Sequence, residues 1–105
     1  MTNRPLYGML YHNRARLIHH LKLIDEAGGI EERMIWEVPR SARNPAGIRY
    51  RLAYIPKGAK TPAVLYDNHH PKGHHKHIAG RQVAYGFAGV ERLLEDFGRD
   101  IEASK

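Results

Sequence analysis

The chain has 105 residues, no cysteine and a formal charge of +6, from 17 Lys+Arg against 11 Asp+Glu. This length suits one domain with a modest core. The missing cysteines exclude disulfides, iron–sulfur clusters, thiolate zinc sites and cysteine nucleophiles. The basic balance favours a nucleic-acid or acidic protein partner, and no apolar run is long enough for a transmembrane helix.

Residues 1–14 have no clean period and are read as an N-terminal arm, with Tyr7, Leu10 and Tyr11 at helical spacing. They lack a long apolar segment ending in a small-residue cleavage site, so a cytoplasmic protein without a signal peptide is expected. Residues 15–105 are read as one α+β domain.

The first strand is expected over 15–24, with Leu17, His19, Leu21 and Leu23 on one face and Ile18, His20, Lys22 and Ile24 on the other. Asp25-Glu26-Ala27-Gly28-Gly29 turns the chain. A second strand over 30–38 then pairs with the first as a hairpin. Its faces are Glu32, Met34, Trp36 and Val38 against Glu31, Arg33, Ile35 and Glu37.

A loop at 39–47 leads to a third strand over 48–55, where Ile48, Tyr50, Leu52 and Tyr54 alternate with Arg49, Arg51 and Ala53. From Pro39 to Thr61 there is no acid, while Arg40, Arg43, Arg49, Arg51, Lys57 and Lys60 make this flank basic. A fourth strand is expected over 62–68 and a fifth over 74–78, ended by Gly80. Trp36, Tyr50, Tyr54 and Phe87 are read as core aromatics.

One helix is expected over 89–102, since Val90, Leu93, Leu94, Phe97 and Ile101 make one apolar stripe. Gly98 weakens it by ~1 kcal/mol relative to alanine and is read as a point of close packing. The predicted architecture is an antiparallel sheet of about five strands with this C-terminal helix on one face.

Residues 66–77 hold five of the eight histidines, together with Asp67, Lys72 and Lys76. Imidazoles exchange protons near neutral pH, and lysines draw in anions such as a phosphodiester. On a strand, His75 and His77 share a face with side chains ~6–7 Å apart, which suits a base and an acid flanking one phosphate. The candidate catalytic residues are His75, His77, Asp67 and Lys72, with Asp67 orienting an imidazole.

Lys76, Arg81, Arg49 and Arg51 are candidate phosphate contacts, and Tyr66 and Tyr85 candidate stacking platforms for bases. His19 and His20 face opposite ways, so at most one reaches this cluster. His74, His75, His77 and Asp67 would be the ligands if the cluster held a metal, although the lysines repel a dication. The plainest alternative is structural, with Asp67 and Asn68 capping the turn and a histidine bonded to a carbonyl.

The series Trp36-Glu37-Val38-Pro39, Tyr50-Arg51-Leu52-Ala53-Tyr54, Tyr66-Asp67-Asn68 and Lys72-Gly73-His74-His75-Lys76-His77 continues with Tyr85-x-Phe87 and Leu93-Leu94-Glu95-Asp96-Phe97-x-x-Asp100. In order and spacing it resembles the TumE family, small toxins of bacterial type II toxin–antitoxin pairs. The resemblance spans roughly residues 15–102 and implies a cognate helix-turn-helix antitoxin as partner. It supplies no catalytic residue. His69 and His70 stand where the family often has charged or small residues.

The leading expectation is a toxin that cleaves RNA with histidines and without a cofactor. The alternatives are a non-catalytic toxin that binds nucleic acid or protein, a metal-binding protein, and an enzyme of small phosphates. Partners expected are the antitoxin, RNA or another nucleic acid, and a second copy of the chain, with no membrane.

Overall fold

Alternation along the strands and one apolar helical stripe generate the two layers seen in the computed structural model, which describes residues 15–69 and 71–105. The arm at 1–14, with Tyr7, Leu10, Tyr11, His12 and Arg14, lies outside the described residues, as does His70. The elements are β1 (Arg16–Ile24), β2 (Ile30–Glu37), β3 (Ile48–Ile55), β4 (Val64–Asp67), β5 (His75–Ile78), β6 (Arg81–Ala84) and α1 (Val90–Ser104). The strands form one antiparallel sheet in sequence order, β1 to β6.

The sheet thus has a sixth strand beyond the expected five. Gly80 does not end β5. Ala79 and Gly80, with φ of 51° and 82°, form the two central residues of a tight hairpin between Ile78 and Arg81. Positive φ at both positions matches the right-handed twist of the flanking strands. β6 carries no burial signal because all four of its residues are exposed.

The first turn is fixed by Asp25, whose Oδ1 accepts from the backbone N–H groups of Ala27 and Gly29 at 3.0 and 2.8 Å. Its other oxygen accepts from the Tyr54 hydroxyl at 2.6 Å. That hydroxyl would stand 2.2 Å from a Cβ at Gly29, so only glycine admits the contact.

Register sorts the side chains. Ile35 pairs with Tyr50, Leu52 with Tyr66, and Tyr54 with Val64, so all six share one face. Leu93, Phe97 and Ile101 of α1 cover them, and every one of these residues is buried. The apolar part of this core removes its area from water at ~25 cal/mol per Å². Gly98 lies in open space, with nothing within 4 Å of an added Cβ, so it does not mark close packing.

A register shift between Leu17 and His19 corrects the first-strand faces. Beyond this bulge, Leu17 pairs with Trp36, and His19 with Ile35. Leu17 therefore joins the face away from α1, while His19, Leu21 and Leu23 stay on the helix side. Trp36 also lies on the face away from α1, so of the expected core aromatics Tyr50 and Tyr54 are buried and Phe87 packs against the core.

Candidate functional site

The face opposite α1 carries the chemistry. One cross-strand row on it reads Met34, Arg51, Asp67, His75, Ala84, and the next reads Glu32, Ala53, Leu65, His77, Gln82. Directly opposed residues have Cβ atoms ~4.5–5.5 Å apart. Arg51, Asp67 and His75 are thus consecutive neighbours, and His77 sits one row along.

The two imidazoles meet. The rings of His75 and His77 stand 5.2 Å apart between centroids and nearly perpendicular, at 77°. His75 is only 6% exposed, and its Nδ1–H donates to the Gly73 carbonyl at 2.8 Å. A carbonyl only accepts, so the neutral ring keeps its lone pair on Nε2. Gly73 reaches this geometry at φ 72°, a conformation that favours glycine.

Lys72 comes to the same face, where its Nζ donates to Gln82 Oε1 at 3.1 Å beside His77. Asp67 accepts from the backbone N–H of His69 at 2.6 Å, an Asx turn that aims the β4–β5 connection. A cleft of about 250 Å³ adjoins this carboxylate and is lined by Trp36, Arg49, Arg51 and His69 among others. The sheet therefore brings His75, His77, Asp67, Lys72, Arg49 and Arg51 to one side. His20 shares the side but sits on β1, four strands from β5, about 19 Å away at ~4.8 Å per strand.

The remaining candidates point elsewhere. Lys76, between the two histidines, faces α1, and its Nζ pairs with Asp100 at 2.9 Å. Tyr66 is fully buried there. Its hydroxyl donates to Asp100, and its ring packs edge-on against Tyr85 and Phe97 at 5.0 and 5.6 Å. No ring face of Tyr66 is free for a base. Burial first, and then the Asp100 bond, raise its pKa.

Tyr85 donates to Asp96 at 2.6 Å, and that carboxylate also accepts from Arg92 and Arg99. The Tyr85 bond is the main cause that holds the Asp96 carboxyl below the usual carboxylate range. Arg81 also lies on the helix side, exposed on the edge strand. These residues lie across the sheet from the histidine pair.

His74 also departs from the cluster. Its ring stacks on Phe87 at 4.8 Å and 4°, and on Tyr50 at 5.7 Å. Its Nδ1 lies 3.0 Å from the Tyr50 hydroxyl, and burial lowers its pKa. The conceivable ligand set His74, His75, His77 and Asp67 is therefore split between the two faces. Among the described residues no three metal-binding side chains converge.

Strand parity carried the signal for these placements. Residues 75 and 77 must face away from 74 and 76, as 67 must from 66. The tyrosine–carboxylate bonds had a fainter trace. Asp96 and Asp100 flank the Leu93–Phe97–Ile101 stripe, which sets them at the edge of the buried seam.

Compared with known proteins, the chain matches a family model described as Toxin TumE over residues 11–105. No curated protein and no solved structure matches. No helix among the described residues is long and apolar enough to cross a membrane.

Proposed function

The chain belongs to the TumE toxin family, and we propose that it acts on RNA by metal-independent cleavage at the His75–His77 pair. The reading rests on one observation: two imidazoles 5.2 Å apart on the sheet face that also presents Arg51 and Lys72. His75 Nε2, holding the lone pair, takes the proton of a ribose 2′-hydroxyl. The 2′-oxygen bonds to phosphorus, the bond from phosphorus to the 5′-oxygen breaks, and protonated His77 donates to that leaving oxygen. The products are a 2′,3′-cyclic phosphate and a 5′-hydroxyl. Arg51 and Lys72 balance the charge that builds on the phosphorane; the Gly73 carbonyl orients His75 in place of the expected Asp67, whose bond goes to the His69 backbone.

In this reading the protein works in the cytoplasm and a cognate helix-turn-helix antitoxin holds it inactive. His75→Ala and His77→Ala are each expected to abolish growth inhibition on expression without antitoxin, while the purified variants keep the wild-type circular dichroism. Retained toxicity in both folded variants overturns the proposal. A second reading, a toxin that binds nucleic acid without chemistry, is favoured by Arg43, Arg49 and Arg51. None of these forms an ion pair among the described residues. Under that reading both histidine variants stay toxic and the arginine variants do not.

A further inference from the structure

Where the β2–β3 and β4–β5 connections meet at one end of the sheet, Arg43, Asn44, Arg49, Asn68 and His74 line a cleft of about 380 Å³. Its walls are held by two amide side chains. Asn44 donates to the Ile48 carbonyl at 2.9 Å and accepts from Gly47 N–H at 3.1 Å. Asn68 donates to the same carbonyl at 2.6 Å and accepts from Tyr50 N–H at 2.9 Å, extending the β3–β4 ladder with a side chain.

Both amides are thus occupied by backbone. The groups left for a ligand are two guanidiniums and the His74 imidazole. Among the described residues Tyr50 has no acceptor but His74 Nδ1. That bond occupies Nδ1, so Nε2 is the ring nitrogen left to meet a ligand. Among the described residues no carboxylate lines this cleft. Two guanidiniums without counterions among the described residues, beside an imidazole, suit a phosphate, which guanidinium binds with paired hydrogen bonds. The volume falls in the range of small-ligand sites, ~300–1,000 Å³.

Arg49 lines this cleft and also the smaller one beside Arg51 and Asp67, so this one side chain borders both. We propose that the cleft holds a nucleotide phosphate, bound by Arg43 and Arg49. The identity of the ligand rests on the RNA reading above; the arginine cleft does not depend on cleavage. An internal phosphodiester and a terminal phosphate share this chemistry.

The test is fluorescence anisotropy of a labelled single-stranded 2′-O-methyl RNA, which cannot be cut through its 2′-oxygen. Arg43→Gln/Arg49→Gln is expected to weaken binding by about tenfold or more and to lower the salt slope by ~0.7, the value for one phosphate contact on a single strand. Lys57→Gln/Lys60→Gln removes the same charge in the turn at the far end of β3, and binding should change less than about twofold. Melting curves confirm that each variant is folded.

Equal weakening in both pairs, no weakening in the arginine pair, or no binding by the wild type each overturns the proposal. If the arginine pair binds normally while wild-type protein cuts ordinary RNA, the cleft inference fails and the cleavage reading stands. Competition by a nucleoside 5′-monophosphate assigns a terminal phosphate, and its absence an internal one; both support the cleft.

Discussion

Replacing Tyr66 by phenylalanine removes one oxygen from the buried core. The ring is fully buried, held edge-on by Tyr85 and Phe97, so its packing survives the change. The lost interaction is the hydroxyl's bond to the Asp100 carboxylate. A hydrogen bond to a charged group contributes ~1.5–3 kcal/mol. Asp100 keeps Lys76 at 2.9 Å, and its side chain is 26% exposed, which favours the lower half, about 1.5–2 kcal/mol. For a domain near this size each kcal/mol moves Tm by ~4–8 °C, so a fall of about 6–16 °C is expected. Thermal unfolding followed by circular dichroism measures it. Lys76→Met removes the partly exposed ion pair and the weaker contacts of the ammonium with the Tyr66 hydroxyl and ring, at 3.5 and 5.4 Å, and should cost less, ~1 kcal/mol or below. A Tyr66→Phe protein that melts with the wild type, or a Lys76→Met protein that melts well below Tyr66→Phe, refutes the assignment.

Two further outcomes follow from the same packing. Gly98→Ala places a methyl in open space within α1, so it should raise stability by about 0.5–1 kcal/mol in denaturant titration; destabilisation would contradict the packing of α1. The lowered pKa of His74 arises from burial, so between its unfolded value near ~6.5 and its lower folded value the unfolded chain binds the extra proton. Stability from this group is therefore full above that window and declines as pH falls through it. His74→Phe keeps an aromatic ring in the stack and should shrink the loss of Tm between pH 7.5 and 5.5; an unchanged loss would show that another group carries it.

Much of this fold is legible from alternation alone. β3 spans Ile48–Ile55 as expected, because its two faces differ sharply in polarity, and the apolar stripe marks α1. β6 is not legible. Its residues are exposed and it pairs on one side only, so neither burial nor period marks it. The bulge at Leu17/His19 also leaves no trace in composition, yet it moves Leu17 to the other face. At the site, convergence of His75, His77 and Asp67 follows from parity and hairpin pairing. That parity equally removes Lys76 and Tyr66 to the helix side, where Asp100 awaits them. The cleft at Arg43 and Arg49 depends on two loops meeting through Asn44 and Asn68, a tertiary contact that no local pattern encodes.

The decisive measurement is the chemistry of the RNA ends after incubation with purified, untagged protein in EDTA. Fragments ending in 2′,3′-cyclic phosphate from wild type, and none from His75→Ala or His77→Ala, are expected. Intact RNA with the wild-type protein, or the same fragments from both variants, would contradict a catalytic role for the paired imidazoles.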